Sequence, residues 1–160
     1  MNRYLEDLSV GDRFELTPIH VTEEELLHFA REFDPQPMHI DAVAAAEGAF
    51  KGLIASGWHT AALVMKRNAE ARILGDTPML GLGVDKLAWP VPVRPGDTLH
   101  VITEVTKITP SRSKPEYGVV AMTSTAYNQN GEVVFVAHPN CWVPRRPARK
   151  SPELRSSCAK

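Results

Sequence analysis

The chain has 160 residues, of which 43% are hydrophobic, and both values fit one globular domain with a single buried core. Its formal net charge is −1, yet residues 145–160 contain six basic residues and one acidic residue, so the first 144 residues carry −6. An acidic body argues against a nucleic-acid-binding domain, which needs a basic face. We predict one domain over residues 1–144 and a basic, disordered tail over residues 145–160; binding of the tail to RNA, a membrane surface or an acidic partner is the less favoured alternative.

The cysteine count and the N-terminal residues indicate the compartment. Cys141 and Cys158 are too few for a disulfide framework, which favours a reducing environment. The segment MNRYLEDLSVGDRF has acidic residues where a signal peptide needs an apolar core, and no run of the sequence is long enough to span a membrane. We therefore expect a cytoplasmic protein without a membrane partner. The histidines lack metal-ligand spacing, so no metal site is predicted.

The first predicted elements are an edge strand and a helix. The segment RFELTPIHV alternates in polarity and is interrupted by Pro18, as edge strands tolerate. Thr22 with Glu25 three residues later forms a capping box, so a helix begins there and ends before Pro35. Four apolar residues would share one face of this helix: Leu26, Phe29, Ala30 and Phe33.

Two further helices are predicted before the chain changes character. Asp41 can cap a short helix over AVAAAEGAF, which Gly48 weakens. The segment KGLIASGWHTAALVMKRNAEARIL then predicts the long central helix, in which five residues at helical spacing would face a neighbouring surface: Trp58, Ala62, Met65, Ala69 and Ile73.

The second half of the chain predicts a sheet. Four stretches rich in β-branched residues follow Gly75, and the last two are joined by NQNG, a strong hairpin signal. An edge strand, then helices, then consecutive antiparallel strands indicate an α+β fold with the helices segregated from the sheet.

Asp34 and His39 form the candidate reactive pair in the segment FDPQPMHIDAVAAA. The two prolines between them restrict the backbone, so this turn can hold a carboxylate and an imidazole at a set separation. Such a pair can accept a proton from water and deliver one elsewhere. On the residues alone the alternative is open, since a histidine in a loop beside an acid is commonly exposed or structurally bonded, and Asp41 has a sufficient role as an N-cap.

The segment DPQPMHID resembles the D-x-N-P-x-H-x-D motif of the MaoC-like dehydratases, also called (R)-specific enoyl-CoA hydratases, with Asp34, Pro37, His39 and Asp41 in register. GLIASGWHTAAL is similar to the glycine-rich start of the family's central helix, and WPVPVRPGDTL to its strand and turn. The resemblance extends over about residues 10–143. It implies a single hot-dog fold, with a long central helix wrapped by a curved antiparallel sheet, and a homodimer or higher homo-oligomer with acyl-CoA sites near the interface.

The resemblance also implies site residues and a reaction. Asp34 and His39 would activate the water that adds to a trans-2-enoyl-CoA, giving an (R)-3-hydroxyacyl-CoA, or act in the reverse dehydration. Gly57 would let the thioester oxygen approach a backbone N–H at a helix N-terminus, although a tight helix start explains this glycine equally well. Ser56 and Gln36 would contact substrate, and both depart from the family's usual His and Asn. No cofactor is implied beyond the CoA of the substrate.

Other residues and functions have simpler interpretations. Three tryptophans, Trp58, Trp89 and Trp142, are expected in the core or in a dimer interface because aromatic residues carry large buried areas. His59 is expected to pack or bond a neighbour. Two alternative functions stay open: a hot-dog acyl-CoA thioesterase, which the pairing of Asp34 with His39 disfavours, and a non-catalytic acyl-CoA-binding subunit, which the changes at Gln36 and Ser56 favour.

Overall fold

A computed structural model describes residues 2–147 of the chain. The helices are a 3-10 turn at Leu5–Asp7 and α1 (Glu23–Phe33), α2 (Pro37–Ile40), α3 (Ala42–Glu47) and α4 (Gly57–Glu70). The strands are β1 (Arg13–Glu15), β2 (Ile19–His20), β3 (Leu80–Ala88), β4 (Thr98–Pro110), β5 (Tyr117–Tyr127) and β6 (Val133–Pro144). The predicted α+β class is confirmed.

The strands form one antiparallel sheet in the order β1-β4-β5-β6-β3, and β2 also pairs with β4. The turn between β5 and β6 is the predicted one, with Gly131 at φ 77°, a conformation that glycine adopts without strain. Register shifts in β3 and β4 mark bulges, which bend strands and increase their twist. This long helix on an antiparallel sheet is the hot-dog arrangement that the sequence predicted.

Helix α4 packs on the sheet through a different face from the one that its apolar spacing predicted. Its buried residues are His59, Thr60 and Val64. The predicted stripe points away from the sheet, with Trp58 61% and Met65 66% exposed. The stripe was predicted to face a neighbouring surface, and within this chain that surface is not the sheet. No helix within residues 2–147 is both long and apolar enough to cross a membrane.

A buried polar network fixes this face of α4 against the sheet. The Thr103 hydroxyl donates to Asn68 Oδ1 over 2.8 Å and lies 2.8 Å from the Ser124 hydroxyl, while Asn68 Nδ2 donates to the Val64 carbonyl over 3.0 Å. Leaving any of these groups unpaired would cost about 1–3 kcal/mol. Rotating α4 to bury its apolar stripe would break this network.

Two helix starts agree with the sequence, and one helix was missed. Thr22 accepts a hydrogen bond from the Glu25 N–H, and Asp41 accepts from the N–H groups of Val43 and Ala44. The unpredicted helix is α2, which begins at Pro37. Proline fits the first turn of a helix because its missing N–H would have no intrahelical partner there. On α1, Leu26 and Ala30 are buried as predicted, but Phe33 is 65% exposed.

The first residues of the predicted tail contact the body. Arg145 pairs with Glu6 over 2.9 Å, and Arg146 pairs with Asp7 over 2.6 Å. These contacts join the end of β6 to the N-terminal 3-10 turn. Residues 148–160, which make up most of the predicted tail, lie outside the described residues, and the domain boundary therefore stays a prediction.

His59 links the central helix to α1 and predicts a pH dependence of stability. Its ring stacks on Phe29 with centroids 4.9 Å apart, and burial lowers the pKa of His59, while the charge of Glu25 opposes that effect. Below the unfolded pKa of about 6.5, the unfolded chain binds a proton at His59 more readily than the folded chain does. The free energy of unfolding therefore decreases as the pH is lowered.

We expect His59→Phe to lose less unfolding free energy than the wild type between about pH 7 and about pH 5, measured by urea unfolding. The control is His28→Gln, which replaces an exposed histidine of α1. It should lose as much unfolding free energy over this pH range as the wild type does. An equal loss in His59→Phe and the wild type would contradict the assignment.

Candidate active site

The turn between α1 and α2 carries the two predicted reactive residues. Asp34 ends α1 with φ −152° and ψ 66°, and its N–H donates to the Ala30 carbonyl over 2.9 Å. Pro35 prevents continuation of α1, and Pro37 begins α2, which places His39 on the third residue of that helix. Both side chains therefore have backbone positions set by helix ends.

His39 is buried, with 5% of its surface exposed, and its orientation is fixed by a backbone contact. Its Nδ1 lies 2.9 Å from the Ile54 carbonyl oxygen, which can only accept, so Nδ1 carries a hydrogen. The Met38 carbonyl in turn accepts from the Ile54 N–H over 3.2 Å. Nε2 of His39 consequently faces the Asp34 carboxylate, 3.5 Å from Oδ2.

The Asp34 carboxylate accepts a side-chain hydrogen bond on each oxygen. Gln36 Nε2 donates to Oδ1 over 2.7 Å, and the Ser56 hydroxyl donates to Oδ2 over 2.7 Å. These two bonds, first that of Ser56 and then that of Gln36, lower the pKa of Asp34, with a smaller contribution from the charge of His39 and against the effect of burial. Asp34 is therefore a carboxylate at neutral pH.

Ser56 belongs to both the site and the central helix. It is the N-cap of α4, where its Oγ accepts from the Trp58 N–H over 3.3 Å, and it is fully buried. Sequence analysis placed Ser56 and Gln36 against the substrate, and that role stays a prediction. In the structure, both side chains donate a hydrogen bond to Asp34.

Gly57 is the first residue of α4, so its N–H has no carbonyl of a preceding helical turn to bond. A side chain there is excluded by Trp89: a Cβ on Gly57 would lie 2.7 Å from one carbon of the indole ring and 2.8 Å from another. Close packing of Trp89 therefore requires a glycine at this position. The predicted contact of Gly57 with a thioester stays a prediction.

An apolar pocket of about 210 Å³ adjoins the reactive pair. Its lining combines His39 and Gly57 with residues of three other segments: Phe50, Ile54, Ala55, Thr60, Trp89, Val91, Pro92, Val93 and Val134. Trp89 is 38% exposed and packs edge-on against Trp58 at 5.5 Å between centroids, so neither tryptophan is a core residue in this chain. Sequence analysis missed Phe50 and the Trp89–Val93 wall as site residues, although the run WPVPV was noticed as a family-like segment.

Arg94 joins two of the segments that line this pocket. Its guanidinium donates to the Phe50 carbonyl over 2.6 Å and lies 3.5 Å from the Leu53 carbonyl. The 50–53 loop thereby connects to the segment that carries Trp89, so the two pocket walls are joined directly.

The contact of Gly57 with Trp89 yields a test by unfolding. Gly57→Ala should lower the unfolding free energy by about 1–3 kcal/mol, because the new methyl group overlaps the indole ring. Adding Trp89→Ala removes the ring, so the double variant should show a coupling energy between the two changes in urea unfolding. A Gly57→Ala protein as stable as the wild type, or additive effects, would contradict this packing.

Comparisons with known proteins identify the family of the chain and agree with its fold. The family model described as a MaoC-like domain matches residues 7–128. A MaoC-like dehydratase from Rhodospirillum rubrum is 46% identical, with a TM-score of 0.86 over 91% of this chain and 99% of that chain. The unliganded R-hydratase PhaJ1 from Pseudomonas aeruginosa is 30% identical, with a TM-score of 0.74 over 94% of this chain and 95% of that chain. The protein YdeM of Bacillus subtilis is 35% identical over 131 residues, or 82% of this chain and 92% of its own length. The chain described here belongs to the family of MaoC-like dehydratases.

Proposed function

We propose that the protein is a hydro-lyase that reversibly adds water to a trans-2-enoyl-CoA to give an (R)-3-hydroxyacyl-CoA. The observation that carries the proposal is the convergence of the Asp34 carboxylate and His39 Nε2, 3.5 Å apart, beside an apolar pocket. The hydratase activity named for the Pseudomonas aeruginosa relative supports it further. Membership of the family fits both a hydration and a dehydration.

Water binding follows from the protonation of the pair. Asp34 is a carboxylate and accepts only, and a neutral His39 with its hydrogen on Nδ1 also accepts at Nε2. His39 Nε2 and Asp34 Oδ2 are 3.5 Å apart, so one water can lie within normal hydrogen-bond distance of both atoms and donate a hydrogen to each. Both hydrogens of the water are then engaged, and its lone pairs are free to attack carbon.

The net reaction is the addition of one water across the double bond. The water oxygen bonds to the β-carbon, one of its protons passes to the Asp34 and His39 pair, and the pair delivers a proton to the α-carbon on the same face. Negative charge develops meanwhile on the thioester oxygen. The Gly57 N–H, at the positive end of the α4 dipole, supplies the stabilising hydrogen bond.

The pocket lining supports the choice of acyl group. The mostly apolar lining favours a hydrocarbon chain over a dicarboxylic one.

Removing either reactive group should abolish most of the activity. We expect Asp34→Asn and His39→Ala each to lower turnover roughly a hundredfold or more, since each removes a general acid/base group. Activity is followed as loss of the conjugated thioester absorbance of crotonyl-CoA, with circular dichroism to verify the fold. Asp41→Asn is the matched control, because asparagine caps a helix as well as aspartate and Asp41 bonds only the start of α3 among the described residues.

The same assay separates the alternatives. No turnover of short, medium, branched or dicarboxylic enoyl-CoAs would overturn the proposal. Release of free thiol without hydration would instead identify a thioesterase. Tight acyl-CoA binding without chemistry, unchanged by Asp34→Asn, would identify a non-catalytic binding subunit.

We also propose that two copies associate through β3. Among the described residues this strand pairs only with β6, so its other edge is open, and Leu80, Leu82 and Val84 are 61%, 49% and 53% exposed. A free apolar edge favours strand pairing, and an antiparallel edge can pair with its own copy about a two-fold axis. Trp89 follows the end of β3 and lines the pocket, so the interface would adjoin the site.

Charge on this edge should dissociate the dimer. We expect light scattering to give a dimer mass for the wild type and a monomer mass for Leu82→Asp, because a carboxylate cannot be buried there without a partner. Val10→Asp is the control, since Val10 is 63% exposed but lies before β1, at the opposite edge of the sheet. A monomeric wild type would contradict the proposed interface.

A further inference from the structure

Two side chains from different parts of the chain hold the Asp34 carboxylate. Gln36 is two residues away and bonds Oδ1, whereas Ser56 is 22 residues away and bonds Oδ2. We propose that Ser56 and Gln36 are positioning residues, which orient the Asp34 carboxylate for the water addition and do not bind substrate. The inference rests on the proposed function. Ser56 and Gln36 both differ from the family's common residues, and it gives both the same role, to orient the Asp34 carboxylate.

Ser56 contributes because its hydroxyl is already part of a buried chain of hydrogen bonds. The Trp58 N–H donates to its oxygen, and its own hydrogen is donated to Asp34. Successive hydrogen bonds of this kind polarise one another, which strengthens the bond to the carboxylate. The hydroxyl also ties Asp34 to the N-terminus of α4, where Gly57 follows directly, so that one residue sets the distance between the base and the proposed oxyanion donor.

Gln36 contributes on the other oxygen. A carboxylate held on one oxygen can still turn about its terminal torsion, which is a broad and soft degree of freedom. The bond from Gln36 to Oδ1 restrains that rotation. Each carboxylate oxygen can accept two hydrogen bonds, so Oδ2 keeps one position after Ser56 has bonded it, and Oδ2 is the oxygen that faces His39.

The charge around Asp34 is simple enough for a pH experiment. The ends of α1 and α4 and the whole of α2 surround the carboxylate, and among the described residues His39 is the titratable group that faces it. The bonds from Ser56 and Gln36 lower the pKa of Asp34, so removing either one should raise it. The titration of Asp34 itself reports this change, whereas the rate profile also depends on His39, which must be free to accept from the water at Nε2.

The test compares Ser56→Gly and Gln36→Leu with the wild type in kcat and KM on crotonyl-CoA and in the titration midpoint of Asp34. We expect kcat to fall about tenfold or more in Ser56→Gly, on the scale of one hydrogen bond to a charged group, with KM unchanged and the midpoint of Asp34 raised. Gln36→Leu should change in the same direction and less, because Gln36 is exposed. A raised KM with unchanged kcat would identify substrate binding and overturn the proposal.

Thr22→Gly is the matched control for the loss of a helix cap. Thr22 caps α1 as Ser56 caps α4, so both variants lose a capping hydroxyl, but only Ser56 bonds Asp34. Thr22→Gly should lower the melting temperature and leave kcat and the titration midpoint of Asp34 unchanged. An equal change of kcat and of the midpoint in Thr22→Gly would show that lost helix stability is the cause, and this would overturn the proposal.

A second measurement does not depend on turnover. The carboxyl ¹³C resonance of Asp34, assigned by its loss in Asp34→Asn, reports the titration of this group directly by NMR. We expect its midpoint to rise in Ser56→Gly and in Gln36→Leu; an unchanged midpoint in both would overturn the proposal. Absence of turnover in every protein, with the midpoints still moving, would overturn the proposed hydratase function alone. Since Gln36 is exposed, Gln36→Leu keeps the test decisive if Ser56→Gly does not fold.

Discussion

The hydrogen bond from Ser56 to Asp34 joins the two structural parts on which the candidate site depends. Asp34 ends α1, and Ser56 begins α4, so one bond sets the end of the first helix against the start of the central helix. The bond from His39 of α2 to the Ile54 carbonyl makes a second connection, to the residue two positions before Ser56. The candidate reactive atoms thus lie on helix ends that restrain each other, and this mutual restraint makes the site rigid.

The packing of α4 decides which surfaces are available for function. Because Asn68 bonds Thr103 under the helix, one side of α4 is fixed against the sheet. That side carries the buried His59, Thr60 and Val64, and the opposite side faces outward. Trp58 and Met65 are exposed as a result, together with the apolar residues of β3. An exposed apolar surface of this kind is usual where a protein meets a partner or a ligand. The packing of α4 places Trp58 against Trp89 of the pocket wall, while the strand order leaves one edge of β3 open among the described residues.

Local sequence signals predicted much of the fold, because the interactions behind them span only a few residues. Thr22 and Asp41 cap helices through backbone groups two or three positions away, and NQNG closes a hairpin within its own turn. Helix α2 was missed because proline was taken as a helix terminator, whereas its position in the first turn makes it a helix starter. The apolar spacing of α4 showed that the helix has two faces but not which of them meets the sheet.

The sequence by itself determined the class of the fold, the ends of the main helices and the identity of the candidate pair, Asp34 and His39. These depend on local capping and on a motif of eight residues, so no distant contact is needed to infer them. Only the tertiary structure decided which atoms face each other: Ser56 and Gln36 on the Asp34 oxygens, Trp89 on Gly57, and the outward side of α4. Such pairs are separated by up to 32 residues, and chain folding in three dimensions, which spacing does not encode, brings them into contact.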